Sequence, residues 1–302
     1  MRPEERENLA DLETERRNPR TAELDTLPTD ALVEALHAES FTVAEAVQKT
    51  LPQIVEAVEI VASRLSEGGR LFYVGAGTSG RLGVLDASEC PPTFGVSREL
   101  VQGIIAGGLT ALTTSIEGAE DSPEAGAQEM HERGITERDV VCGIAASGRT
   151  PYVIGALEEA KRVGAATLCV VNVPRSKLED IADVAICAVT GAEALTGSTR
   201  LKAGTAQKMV LNLLTTATMV RLGKVYGNLM VDVRATNFKL RDRAVRIVMM
   251  ATGVEKSRAE TALEQANWEV KTAVVMLAKG VGVSEARTLL SEAKGWVRGA
   301  VE

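Results

Sequence analysis

The chain has 302 residues, 45% of them hydrophobic, which is enough to bury a large core and allows one large domain or two. A formal net charge of −7 disfavours a nucleic-acid-binding surface, because such a surface needs a clustered basic face. The charged start of the chain lacks an apolar signal segment, and no apolar run reaches the roughly 18 residues of a membrane helix, so we expect a cytoplasmic protein without membrane contact.

The residues that usually bind metals are few and scattered. The four cysteines stand far apart without a CxxC pair, and three of them fall in strand-like apolar runs; they are Cys90, Cys142, Cys169 and Cys187. We expect them to be buried free thiols. The only two histidines, His37 and His131, occur in polar, helix-like contexts. The sequence therefore predicts no metal site.

The first part of the chain divides into a polar arm and a helix. Residues 1–29 contain Pro19 and Pro28 and show no sustained period, which indicates an arm that crosses another surface or another subunit, or else disorder. Apolar residues recur at helical spacing over 43–65, which predicts one long amphipathic helix that Pro52 could kink. We assign residues 1–42 to an arm with a short helix.

Five short, apolar, β-branched runs follow, at 71–74, 101–106, 139–145, 166–171 and 184–189. Helix-like stretches separate most of them, at 79–89, 123–133 and 150–163, and another follows at 203–222. Alternation of this kind predicts an α/β fold with a five-stranded parallel sheet flanked by helices. In such sheets ligands bind outside the carboxyl ends of the strands. We assign 43–235 to this domain.

The C-terminal region, 236–302, has a different pattern, with short helices only. They are predicted at 241–252, 257–266, 268–279 and 284–293. Their arrangement resembles a ubiquitin-associated three-helix fold in architecture alone. A lid or a dimer contact is the favoured role, ahead of peptide binding.

Two similar loops follow predicted strands. The first is Gly75-Ala-Gly-Thr-Ser-Gly80, and the second is Ala145-Ala-Ser-Gly-Arg-Thr150. Ser79 and Ser147 stand where a helix N-cap would be, so capping is the simplest interpretation. However, two hydroxyl-bearing loops at one sheet edge favour a second interpretation, in which the loops hold a phosphate. The groups that would bind it are nearby backbone amides and the hydroxyls of Thr78, Ser79, Ser147 and Thr150. The sequence therefore predicts a small phosphorylated ligand.

The first loop does not fit the usual nucleotide patterns. No acidic residue ends a second strand at the distance that a ribose contact requires, and the Walker lysine is absent. Lys202 and Lys208, near the start of the long helix at 203–222, could add positive charge to the anion site. For each of them, a solvated side chain is the alternative.

Two groups of acidic residues follow the first two strands. Glu89 is predicted at the end of a helix that Pro91 and Pro92 stop, where the negative end of the helix dipole favours a protonated carboxyl that could act as a general acid. The cluster Glu117-Gly-Ala-Glu120-Asp121 follows the second strand and could face the same cleft. Solvated surface carboxylates are the alternative in both cases.

At these residues the chain resembles the N-acetylmuramic acid 6-phosphate etherases, which belong to the sugar isomerase (SIS) fold superfamily and are related to glucokinase regulatory protein. The blocks with Glu89 and Glu120 are specific to the etherases, whereas the serine loops are shared across the superfamily. Phe94 takes a position where a tyrosine is also seen, and the last 60 residues match more loosely. The matching blocks are 75–95, 116–122, 143–152, 196–208 and 227–233.

The resemblance implies cleavage of the D-lactyl ether at C3 of N-acetylmuramic acid 6-phosphate in bacterial cell-wall recycling. We expect a homodimer with an SIS-type sheet. We also expect no cofactor, because the substrate aldehyde itself accepts the developing negative charge. By matching position, Glu89 would protonate the departing lactate and Glu120 would remove the C2 proton. The residues then expected to bind the substrate or its phosphate are Thr78, Ser79, Ser88, Ser147, Thr150, Lys202 and Lys208.

The chemistry is consistent with this set of residues. In the open-chain sugar the C1 aldehyde acidifies the C2 hydrogen, so elimination needs one base and one acid, and two carboxyls with separated pKa values suffice. Two alternatives stay open. An aldose–ketose isomerase on this fold would need no acid at C3, and a non-catalytic sugar-phosphate sensor would bind without turnover.

Overall fold

The structure is a computed structural model that describes residues 13–233, 235 and 237–302. The described chain divides into two compact units. The first comprises the residues up to Ser88 together with Glu99–Leu214, and the second comprises Glu89–Arg98 together with Thr215–Glu302. A short segment from the middle of the predicted α/β domain, 89–98, therefore groups with the C-terminal helices.

The first unit contains a sheet of five parallel strands in the order β2-β1-β3-β4-β5. The strands are β1 (Leu71–Gly75), β2 (Val101–Ile105), β3 (Val140–Ile144), β4 (Ala166–Val171) and β5 (Val184–Cys187). Most of their side chains are buried, because helices cover both faces, and this explains why the strands appear as continuous apolar runs. The predicted fold class is confirmed.

Among the described residues, seven α-helices have all or part of their length in the first unit. They are α1 (Thr29–Gln48), α2 (Leu51–Ser66), α3 (Gly77–Phe94), α4 (Pro123–Glu132), α5 (Pro151–Arg162), α6 (Lys177–Ile181) and α7 (Lys202–Arg221). Helix α3 packs very closely on the sheet at Gly103, where any Cβ would collide with the backbone of Val84. This close contact holds α3 against the sheet, and with it the end of the first loop, because α3 begins at Gly77.

The predicted single helix over 43–65 is wrong. The chain forms α1 and α2 instead, with a break at Lys49 and Thr50. Pro52 lies in the first turn of α2, where its missing N–H would have no partner within the helix in any case. The proline therefore marks the start of a helix and not a kink inside one.

The prediction that a helix stops before Pro91 is also wrong. Helix α3 continues through Pro91 and Pro92 to Phe94, and the Gly95 amide donates to the Pro91 carbonyl at 3.0 Å. Near the end of a helix, two prolines remove only two backbone hydrogen bonds, so the last turn still forms. Glu89 consequently lies inside α3, and the argument that placed it at the negative helix end loses its premise.

The described part of the N-terminal arm packs against the same chain. It forms short 3-10 helices at Pro19–Thr21 and Leu24–Thr26. Thr21 Oγ1 donates to the Ala194 carbonyl at 2.8 Å, and Asn18 Nδ2 donates to the Ala192 carbonyl at 3.3 Å. The arm thus covers the segment after β5, while residues 1–12 of the predicted arm lie outside the described residues.

The second unit contains a helical core of its own. Its C-terminal helices are α8 (Phe238–Thr252), α9 (Lys256–Gln265), α10 (Val270–Lys279), α11 (Val283–Glu292) and α12 (Val297–Val301). Mostly Val, Ala and Leu side chains fill this core. The four predicted helices are confirmed, and the five-residue α12 is an addition. Segment 89–98 joins this unit closely, because a Cβ on Gly95 would collide with the Asp232 carbonyl.

None of the four cysteines forms a disulfide among the described residues. Cys90, Cys142 and Cys169 are buried, and Cys187 is half-buried. Burial raises the pKa of both Cys169 and Cys187 to about 12. No described helix is long and apolar enough to cross a membrane.

Candidate active site

The two hydroxyl-bearing loops lie side by side at the carboxyl edge of the sheet. Strands β1 and β3 are direct neighbours, with Gly75 opposite Ile144. The first loop leads from β1 into α3, and the second leads from β3 into α5. Parallel pairing therefore brings the two loops together although about 70 residues separate them along the chain.

Neither Ser79 nor Ser147 is a helix N-cap, contrary to the simpler interpretation of the sequence. Helix α3 begins at Gly77, so Ser79 lies within its first turn. The N-cap of α5 is Thr150, whose side chain makes no capping hydrogen bond, and Ser147 precedes it by three residues. The two serines are therefore available for other contacts.

The second loop presents hydroxyls to the sheet edge. Ser147 Oγ accepts from the Arg149 amide at 3.3 Å, and its own proton has no acceptor among the described residues. The loop packs tightly against Ser176 at Gly148. This residue has a φ of +62°, and a Cβ there would collide with the Ser176 side chain. A rigid loop with a hydroxyl proton to donate fits an anion such as phosphate.

The Ser79 side chain belongs to a buried polar chain. Its Oγ donates to Gln207 Oε1 at 2.9 Å, and Gln207 Nε2 donates to Asn172 Oδ1 at 3.1 Å. The side-chain Nδ2 of Asn172 donates to the Ala188 carbonyl at 2.8 Å, and the backbone N–H of Asn172 donates to the Ala146 carbonyl at 2.9 Å. Asn172 therefore ties the second loop to the same chain of contacts as the first.

Sequence reasoning missed both Gln207 and Asn172. Asn172 directly follows β4, so the rule that ligand sites lie at carboxyl ends of strands could have found it. Gln207 directly precedes Lys208, which the sequence analysis did select, and nothing in the sequence distinguishes Gln207 from a surface residue of α7. Only its 1% exposure reveals its role.

Lys208 is engaged with residues of its own unit. Its Nζ lies 2.9 Å from Asp86 Oδ1 and 2.6 Å from Asn212 Oδ1. Tyr73 donates its hydroxyl to Asp86 Oδ2 at 3.3 Å. The charge of Lys208 is thus largely balanced by a buried carboxylate, and its proposed contact with phosphate stays a prediction.

Lys202 is neither a solvated lysine nor an exposed anion ligand. Its side chain is 4% exposed and its Nζ lies 2.8 Å from Oε2 of Glu39, which is 3% exposed. Arg20 and Asn18 also donate to the Glu39 carboxylate. The Arg20 hydrogen bonds, helped by Lys202 and Asn18 against the opposing effect of burial, lower the pKa of Glu39 to about 2. This arrangement does not support Lys202 as a phosphate ligand.

Glu193 anchors the start of α7, which carries Lys202 and Gln207. Its two carboxylate oxygens accept from the amides of Lys202 and Ala203, each at 2.9 Å. The side chain is fully buried and satisfies two amides that have no partner within the helix. It therefore fixes where α7 begins relative to the sheet.

The acidic candidates are exposed in their own units. The Glu120 carbonyl accepts from the Tyr152 amide at 3.0 Å, which joins the acidic segment to the start of α5 beside the second loop. Glu89 is exposed on α3 within the second unit. Ser88, its neighbour, donates its hydroxyl to the Leu85 carbonyl at 2.8 Å in its own helix. Glu120 thus lies at the sheet edge that carries the predicted phosphate loops.

Three protein-family models match this chain. The N-terminal SIS domain of glucokinase regulatory protein matches residues 53–161, and the general SIS domain matches 118–217. The C-terminal lid domain of glucokinase regulatory protein matches residues 227–272. Together they account for the sheet and for part of the helical C-terminal region.

Close relatives cover nearly the whole chain. The N-acetylmuramic acid 6-phosphate etherase of Salinibacter ruber is 55% identical over 297 residues, which are 98% of this chain and 96% of the relative. The protein of the same name from Salmonella schwarzengrund is 54% identical over 295 residues, 98% of this chain and 99% of the relative. Among solved structures, a phosphoheptose isomerase from Francisella tularensis is 14% identical, with a TM-score of 0.45 over 65% of this chain and 98% of that one.

Proposed function

Because the chain belongs to the N-acetylmuramic acid 6-phosphate etherase family, we propose that it cleaves the D-lactyl ether of N-acetylmuramic acid 6-phosphate. Water is consumed, and the products are N-acetylglucosamine 6-phosphate and D-lactate. The observation that carries this proposal is identity above 50% over almost the full length of both chains. The alignments leave no large segment of either chain unmatched.

The reaction is an elimination followed by an addition. We propose that Glu120 takes the C2 proton of the open-chain sugar, while the electron pair forms the C2–C3 double bond in conjugation with the C1 aldehyde. The C3–oxygen bond breaks, and Glu89 protonates the departing lactate. Water then adds at C3, giving its proton to the Glu89 carboxylate, and Glu120 returns its proton to C2. Both residues end in their starting protonation states.

Geometry supports this role for Glu120 more directly than for Glu89. The Glu120 carboxylate is exposed, and its backbone is hydrogen-bonded beside the second loop, so it can reach a sugar whose phosphate lies there. For Glu89 the support is the resemblance, together with its exposure on α3. We propose the acid role on those two grounds.

We propose that the 6-phosphate binds between the two loops. The Ser147 hydroxyl has a proton to donate, and the hydroxyls of Thr78 and Thr150 make no hydrogen bond within the described part of the chain. Helices α3 and α5 both begin at this edge, so their dipoles favour an anion there. Backbone amides and hydroxyls would then supply the hydrogen bonds to the phosphate oxygens.

A Ser147→Ala variant tests the phosphate site. We expect it to bind N-acetylglucosamine 6-phosphate about tenfold more weakly, because a charge-assisted hydrogen bond is lost, with little change for unphosphorylated N-acetylglucosamine. Titration calorimetry with both sugars measures the preference. Ser66→Ala, which removes an exposed serine hydroxyl on α2, is the control. An unchanged preference in the Ser147 variant would contradict the site.

The activity itself is tested by incubating the purified protein with N-acetylmuramic acid 6-phosphate. We expect D-lactate and N-acetylglucosamine 6-phosphate in equal amounts. An isomerase would release no lactate, and a sensor would bind the sugar without turnover.

Activity should also survive exhaustive chelation, because the substrate aldehyde stabilises the developing negative charge. Loss of activity with EDTA that one divalent ion restores would refute the cofactor-free mechanism.

We further propose that the enzyme works as a homodimer in the cytoplasm. Helix α1 exposes several large apolar side chains, Val33, Leu36 and Phe41 among them, and Phe41 is 67% exposed. Apolar groups clustered on one helix are usually covered by another protein surface. Light scattering that gives the mass of one chain would contradict the dimer. The proposed cytoplasmic location rests on the proposed substrate, because a phosphorylated sugar does not cross membranes freely and the enzyme must share its compartment.

A further inference from the structure

The polar chain behind the first loop has a fixed direction. The Ala188 carbonyl can only accept, so the Asn172 amide group must turn its Nδ2 towards it. Asn172 Oδ1 then faces Gln207, which must present Nε2, and Gln207 Oε1 is left facing Ser79. A backbone carbonyl thus sets the orientation of both amides, which would otherwise be interchangeable.

The direction of this chain decides what the Ser79 hydroxyl can do. A serine hydroxyl has one proton, and Gln207 Oε1 accepts it at 2.9 Å. The same proton cannot also be donated to a phosphate oxygen. Reversing Gln207 would place its Oε1 against Asn172 Oδ1, two acceptors in a site where both residues are 1% exposed. Ser147 differs, because its proton has no acceptor among the described residues.

We propose that Gln207 is a positioning residue, which takes the Ser79 proton and thereby anchors the first loop. The loop then contributes to phosphate binding through Thr78 and its backbone amides, while the Ser79 hydroxyl acts as the anchor. The proposal rests on the phosphate site proposed above and gives Ser79 a different role within it.

The anchor also connects the two loops. Asn172, which receives the Gln207 hydrogen bond, holds the second loop through the Ala146 carbonyl. Glu193 fixes the start of α7, one and a half turns before Gln207. The same buried side chains therefore hold both loops in place. Loss of Gln207 should loosen the first loop, but it should not remove any hydrogen-bond donor from the phosphate site itself.

The direction in which one substitution changes the affinity for the phosphorylated sugar shows whether Ser79 anchors the loop or donates to the phosphate. Gln207→Met keeps the length of the side chain but cannot accept the Ser79 proton. If Ser79 is an anchor, the variant should bind N-acetylglucosamine 6-phosphate about tenfold more weakly, with little change for N-acetylglucosamine. If the Ser79 hydroxyl were itself a phosphate donor, freeing its proton would leave binding equal or tighter.

The experiment is a double-mutant cycle with Ser79→Ala, Gln207→Met and the double variant, measured by titration calorimetry with both sugars. We expect each single variant to lose about tenfold in phosphosugar affinity and the double variant to lose no more than either. Thr218→Val is the matched control, because it removes from the same helix a buried hydroxyl with no partner among the described residues. Gln207→Leu serves the same test if the Met variant does not fold.

Three results would overturn the proposal: unchanged or tighter binding in the Gln207 variant, losses that multiply in the double variant, or an effect of Gln207→Met without one of Ser79→Ala. Because the probe is sugar binding, none of them depends on lactate release. Failure of the etherase assay would count against the proposed reaction alone.

Discussion

A Glu120→Gln variant is expected to lose lactate release and also the exchange of the C2 hydrogen with heavy water. Removal of the C2 proton is the first step of the proposed reaction, and glutamine cannot accept that proton. General-base catalysis contributes roughly 100- to 10,000-fold to a rate, so both activities should fall by that factor. Deuterium incorporation at C2 by NMR, beside a lactate assay, measures them in one sample.

Glu89→Gln should separate the two halves of the reaction. We expect this variant to keep exchanging the C2 hydrogen while releasing little lactate, because it lacks only the proton for the leaving group. Glu117→Gln is the matched control, an exposed carboxylate three residues before Glu120 that has no assigned role. Retained exchange in the Glu120 variant together with lost exchange in the Glu89 variant would reverse the two assignments. Full activity in both would remove this pair from the mechanism.

A Lys202→Met variant is expected to lose stability and to keep its preference for phosphorylated sugars. Removing one partner of a buried ion pair leaves the other charge poorly compensated, at a cost of about 3 kcal/mol, near the lower end of the usual range because Arg20 and Asn18 still bind Glu39. Urea unfolding measures the loss, and calorimetry measures the preference. Lys49→Met, an exposed lysine at the end of α1, should change stability little. A weaker preference for the phosphorylated sugar, with unchanged stability, would restore Lys202 as a phosphate ligand.

The same ion pair predicts a pH dependence of stability. Glu39 has a pKa of about 2 in the folded chain, below its ordinary value of 4.5. Its contribution is therefore fully present above about pH 4.5 and is lost as the pH falls towards 2. The groups that face Glu39 are Asn18, Arg20 and Lys202, and of these only the two cations carry charge. Urea unfolding of Glu39→Gln should depend less on pH in this window.

The parallel sheet and the meeting of the two loops at one edge could be predicted from the sequence. Each strand is a short apolar run between helix-like stretches, and this local pattern is sufficient because strands buried on both faces must be apolar throughout. Once the strands are parallel, loops that follow them must meet at one edge, as Gly75 and Ile144 do. The blocks that carry the family resemblance include both loops, and the relatives confirm the family.

Helix limits at prolines could not be determined in this way. Pro52 starts a helix, and Pro91 lies inside another, although both were expected to disturb one. A proline costs little in a first turn and little near a last turn, and the sequence does not say which of these a given proline occupies. Packing of the helix on the sheet decides that.

The roles of the polar residues on α7 could not be predicted from the sequence, because their partners lie far away along the chain. Lys202 meets a carboxylate 163 positions away, and Gln207 meets a serine 128 positions away. A lysine and a glutamine in a helix look the same in sequence whether they face water or the sheet. Their hydrogen bonds depend on which buried acceptors the folded chain brings near them, because a buried polar group must find a partner wherever the fold supplies one.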